Sequence, residues 1–216
     1  MAKVNIRLAF CKTGRAVFIS HLSLMRVFQR AFYRARLPLR YTEGFNPHAY
    51  ISIALPLPLG MESLCERVDF GVAGSVDIEG LPALLNRMLP EGIEVTGAEI
   101  AARPFLDICF AELEFMADTV CGAERLRELF EGPLVVEKRS KKGTAKVDIV
   151  PLIASIEFED KGGGMAAGWA VVRAQNPTLN PELLEKAVRE YADPDAEFAF
   201  RRTRVLDANG EPFDAI

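Results

Sequence analysis

Residues 3–10 alternate in character. Val4, Ile6, Leu8 and Phe10 fall on one side and Lys3, Asn5, Arg7 and Ala9 on the other, the period of two expected of a half-buried strand. After Ile19 the period lengthens, and Leu24, Met25, Phe28, Ala31, Phe32 and Ala35 gather within about one third of a helical wheel. Ser20 is placed to cap this helix, Ile19 and Leu24 have the spacing of a hydrophobic staple, and Pro38 stops the helix near Leu37. Residues 50–55 and 67–72 read as strands, 81–88 as a helix and 93–99 as a strand, in the order βαββαβ. The second half repeats the theme: a strand at 108–116, a helix at 123–131, extended stretches at 134–138, 146–149 and 154–159, and a turn at Gly162-Gly163-Gly164. A strand at 169–173, a helix at 181–191 and a last strand at 197–205 complete it. Without one extra hairpin this is again βαββαβ, so the chain is expected to be α+β and tandem ferredoxin-like, with units at 1–102 and 103–216 joined near residues 101–106.

Composition sets bounds on this picture. The 216 residues are half apolar, enough for a sizeable core. No apolar run approaches the roughly 20 residues of a membrane helix, and no signal-type segment opens the chain, so a cytoplasmic protein without a membrane partner is expected. Cys11, Cys65, Cys109 and Cys121 are scattered without metal-binding spacing. With only two histidines and no acids clustered near them, neither a metal site nor a cofactor is expected.

Charge is distributed unevenly. Residues 1–50 hold Lys3, Arg7, Lys12, Arg15, Arg26, Arg30, Arg34, Arg36 and Arg40 against Glu43 alone, although the whole chain carries a net charge of −4. A cationic face on an acidic body suits an anionic partner. Arg26, Arg30 and Arg34 lie opposite the apolar stripe, advancing about 6 Å per step along the helix axis, a row able to follow phosphates. Solvated arginines, or arginines paired with distant acids, would give the same pattern.

Three further features bear on chemistry. His21 sits in the first helical turn and is expected to serve either as a general base or as a packing residue. The loop from Tyr41 to His48 offers Phe45 as a stacking ring, Asn46 as an amide and His48 as an imidazole, with Gly44 free to take a positive φ and Pro47 stiffening the exit. Lys138, Arg139, Lys141 and Lys142, followed by Gly143, read as a basic hairpin tip that either extends the footprint or is ordinary solvated surface.

The run Thr13-Gly14, Phe18-Ile19-Ser20-His21-Leu22, Leu24-Met25-Arg26, Leu37-Pro38-Leu39, Tyr41, Gly44-Phe45-Asn46-Pro47-His48 and 54–60 (ALPLPLG) resembles the bacterial radical SAM-linked protein family over residues 3–72. Members stand alone or are fused behind a cobalamin-binding-type radical SAM protein, commonly encoded near an RNase E/G-type ribonuclease and a large-subunit ribosomal protein. The chain departs from the family pattern at Ser23, where aspartate is usual, and at Ala49, where a second proline often follows the histidine. The resemblance implies an accessory partner of a radical SAM enzyme in RNA or ribosome maturation. Lacking the C-x-x-x-C-x-x-C motif, the chain is not itself that enzyme. Three readings follow: an RNA- or substrate-binding module, a metal-independent RNA-processing enzyme using His21 or His48, and an adaptor that binds protein without RNA.

Overall fold

The computed structural model describes residues 4–140 and 143–216. The chain divides into two compact units, Met1–Asp107 with Asp214–Ile216, and Ile108–Phe213. The division falls after Asp107, beyond the expected 102/103 boundary, because Arg7 of the first unit holds the segment that follows residue 102 and Arg67 holds Asp214.

The first unit runs β1 (Val4–Lys12), α1 (His21–Arg34), β2 (Ile51–Ile53), β3 (Glu62–Val72), α2 (Leu81–Asn86) and β4 (Ile93–Ile100). β1 lies between β4 and β3, β2 pairs with β3, and all pairs are antiparallel. Ile6, Leu8 and Phe10 of β1 meet Val68, Phe70 and Val72 of β3 and the apolar stripe of α1, Leu24, Phe28, Ala31 and Phe32, with Met25 and Ala35 at its margin. Phe28 stacks edge-on against Phe10 at 4.8 Å, and Phe32 lies 4.4 Å from Phe70. The Ser20 hydroxyl accepts from the Ser23 amide at 3.3 Å, satisfying a free N–H of the first turn.

Two expectations are corrected here. The helix ends at Arg34, before Leu37: Arg36 adopts φ 54°, and the amides of Arg36 and Leu37 turn back to the carbonyls of Tyr33 and Phe32, a Schellman closure built on an arginine. β1 is buried on both faces, because the side away from the helices carries an ionic network. Arg7 donates to both Asp69 oxygens at 2.8 and 2.9 Å and to the Arg103 carbonyl at 2.7 Å, and lies 4.5 Å over the Phe105 ring. Arg67 pairs with Asp214 at 2.6 Å and also donates to the Ile216 carbonyl. Burial pushes the Asp69 carboxyl up in spite of Arg7.

The second unit runs β5 (Phe110–Asp118), α3 (Ala123–Glu131), β6 (Val135–Ser140), β7 (Gly143–Asp148), β8 (Ile153–Gly162), β9 (Met165–Arg173), α4 (Glu182–Tyr191) and β10 (Glu197–Leu206). β5 lies between β10 and β9, with β8 outside β9, again antiparallel throughout. β6 and β7 form their own ribbon, tied to α4 by Lys186 and Tyr191, which donate to the Glu137 and Val135 carbonyls at 2.7 and 2.9 Å. Phe115 joins Phe158, Phe198 and Phe200 on the helix side of this sheet. A Cβ at Gly168 would overlap the Phe115 ring and the Glu157 carbonyl, so close packing demands glycine there. Both units are therefore α+β. Among the described residues no helix is long and apolar enough to cross a membrane.

Candidate functional site

Burying the apolar stripe of α1 turns its opposite face outward. Arg26, Gln29, Arg30, Tyr33 and Arg34 line an open groove of about 500 Å³ along that face. Arg34 donates to the Met88 carbonyl, which fixes its guanidinium without neutralising it. Among the described residues none of the three arginines meets a carboxylate, so their charges stay uncompensated. Tyr33 shares a 2.6 Å hydrogen bond with the Tyr41 hydroxyl, and this bond holds the Tyr41 phenol above its usual pKa.

Tyr41 begins a narrow ribbon. It bridges Ala49, the Thr42 amide donates to the His48 carbonyl at 2.8 Å, and the Tyr50 amide donates to the Arg40 carbonyl at 2.9 Å. Arg40 lies 4.6 Å over the Tyr50 ring and donates to Asn5 at 2.6 Å, anchoring the ribbon to β1. At the tip Gly44 takes φ 125° and Phe45 is fully exposed. The His48 amide donates to the Thr42 hydroxyl at 3.2 Å, and its Nδ1 lies 3.1 Å from that hydroxyl and 3.3 Å from the Asn46 carbonyl. Thr42 thus orients the ring while leaving the residue exposed.

The structure joins Arg26, Arg30, Arg34 and, through Tyr33, Tyr41. It does not bring either histidine to the groove wall. His21 opens α1 half-buried, outside the hydrophobic cluster, and His48 belongs to the ribbon. Lys138 is in the second unit and donates to the Thr178 carbonyl at 3.1 Å; Lys141, Lys142 and the side chain of Arg139 lie outside the described residues. Gln29 and Tyr33 escaped the sequence reading, although their positions three residues beyond Arg26 and Arg30 put them on the same face. Among the described residues no group of three or more His, Cys, Asp or Glu side chains is placed to hold a metal ion.

A family model described as "Uncharacterized protein conserved in bacteria (DUF2344)" matches residues 5–181. A comparison with curated proteins gives no match. Among solved structures, one of an unknown protein from Galdieria sulphuraria is similar at 10% identity and a TM-score of 0.27, over 93% of this chain and 99% of that chain. Another, provisionally described as a glycine cleavage system transcriptional repressor, is similar at 9% identity and a TM-score of 0.27, over 94% of this chain and 99% of that one.

Proposed function

We propose, for a chain that belongs to the bacterial DUF2344 family, that it is a binding module for an anionic strand, RNA first of all, in the service of a separate radical SAM enzyme in the cytoplasm. The observation that carries this reading is the row of three arginines lining one open groove with no carboxylate among its wall residues. Guanidinium groups advancing about 6 Å per helical step suit successive phosphates, and Tyr33, bonded to Tyr41, offers a ring beside them. Phe45, Asn46 and His48 on the adjoining ribbon supply a stacking ring, an amide and an imidazole for an unpaired base. The radical SAM partner enters through the sequence resemblance of residues 3–72 alone. Each unit has one central strand pair flanked by two more in βαββαβ order, which supports reading the whole as tandem ferredoxin-like.

The test is binding to total cellular RNA across a salt series, with wild type against Arg26→Glu/Arg30→Glu/Arg34→Glu. Loss of three phosphate contacts should flatten the slope of log K against log salt by about 2, at roughly 0.7 per contact for a single strand. Salt-insensitive binding, or binding equal in both proteins, would sink the reading. Co-purification with the radical SAM protein after nuclease treatment tests the partner separately.

A further inference from the structure

The second unit carries a groove of opposite character. On the face of its sheet away from α3 and α4, Glu114 of β5 stands opposite Trp169 of β9, and Trp169 stands opposite Glu157 of β8. Directly opposed residues of antiparallel strands project from one face with Cβ atoms about 5 Å apart, so a carboxylate flanks the indole on each side. This row lies in an open groove of about 750 Å³ that also takes in Glu112 and Glu159. Trp169 is the one tryptophan of the chain, and 40% of its surface is exposed.

Two of the four carboxylates are engaged locally. Glu112 accepts from the Thr203 hydroxyl at 3.0 Å and lies 3.7 Å from Arg204, while Glu159 pairs with Lys161 at 2.7 Å. Glu114 and Glu157 form no ion pair among the described residues, although Arg201 stands opposite Glu114 on β10. The long Arg127 side chain reaches the groove wall from α3 and donates to the Phe158 carbonyl, which fixes its guanidinium without neutralising it, so the lining sets one cation against four carboxylates.

We infer that this groove binds a basic, extended segment of a partner protein, seating an arginine or lysine side chain on Trp169 between Glu114 and Glu157. The indole face attracts a cation, most of all one already partly desolvated by neighbouring carboxylates. The remaining carboxylates set the shape of the occupant. Glu112 and Glu114, like Glu157 and Glu159, are two residues apart on their strands and so about 7 Å apart on one face. A polypeptide with a cation at every second position matches that spacing, and the breadth of an open three-strand face matches a chain better than a compact ion.

The site is independent of the arginine groove and is tested on nuclease-treated full-length protein. Because Trp169 is the sole tryptophan, its fluorescence reports this groove alone. Titration with a short synthetic peptide alternating arginine and serine should give a saturable change in emission. In Glu114→Gln/Glu157→Gln the affinity should fall about tenfold with circular dichroism and unfolding midpoint unchanged, and Trp169→Ala should lose binding by calorimetry. No saturable change in wild type, or equal affinity in the Gln variant, overturns the inference. Spermine binding as tightly as the peptide overturns the assignment to a protein segment. The Arg26/Arg30/Arg34 variant should bind the peptide as wild type does, so failure here and failure of RNA binding are read separately.

Discussion

The polar faces of the strands in the two units have the same strand order beneath them and opposite fates. In the first unit Arg7, Asp69 and Arg67 are buried, with Phe105 stacked on Arg7, Arg7 paired to Asp69 and Asp214 paired to Arg67. In the second unit Glu114, Trp169 and Glu157 stay at the surface of an open groove. An alternating strand puts polar residues on its second face whatever becomes of that face. What lies over it decides whether those charges are structural partners, costly to separate, or solvated groups available to another molecule.

The sharpest way to break this contrast is Arg7→Ala, which strands the Asp69 carboxylate in the interior. Denaturant unfolding should show a loss of about 3–5 kcal/mol, whereas replacing Arg7 and Asp69 together by apolar residues of similar volume should cost far less. A loss within surface values, ~0.5 kcal/mol, would mean that the face is open after all.

Acid titration separates the units by sign. Asp193 of the second unit is held below its ordinary 3.8, first by the Thr119 hydroxyl at 2.7 Å and then by the Val120 amide at 2.9 Å. Its contribution is present above 3.8 and is lost as pH falls through the depressed value, so Asp193→Asn should flatten the acid limb of the stability curve. Asp69, raised by burial, works the other way: its contribution is complete below 3.8 and is lost as pH rises through the raised value.

Smaller effects come from the surface groups. Tyr33→Phe removes the hydrogen bond that raises Tyr41, and spectrophotometric titration should find that phenol closer to its ordinary 10.0. Glu114→Gln/Glu157→Gln should leave unfolding within about 0.5 kcal/mol of wild type, the counterpart of the Arg7 result.

Local patterns made much of this fold legible. The cap at Ser20, the apolar stripe of α1, the outward arginines, the positive φ at Gly44 and the glycine turn after β8 all depend on residues within a few positions of one another. The early end of α1 was hidden because its left-handed closing residue is Arg36, where glycine would have announced it. The second buried face of β1 was hidden because Asp69 is 62 positions from Arg7, and nothing in the spacing of either strand marks them as a pair. The candidate site divides likewise. Arg26, Arg30 and Arg34 follow from a helical wheel, while Trp169 gains its flanking carboxylates only from the registers of β5, β8 and β9.

The return of Asp214–Ile216 to the first unit has a consequence for how the chain is made on the ribosome. Arg67 lies on β3, yet its carboxylate partner is encoded 147 positions later, after the whole of the second unit. Through most of translation, therefore, the first unit has a guanidinium on its sheet face without its ion-pair partner. The Arg67–Asp214 pair can therefore close only after every strand of the second unit has been made, which places the completion of the first unit's ionic network behind the synthesis of its neighbour.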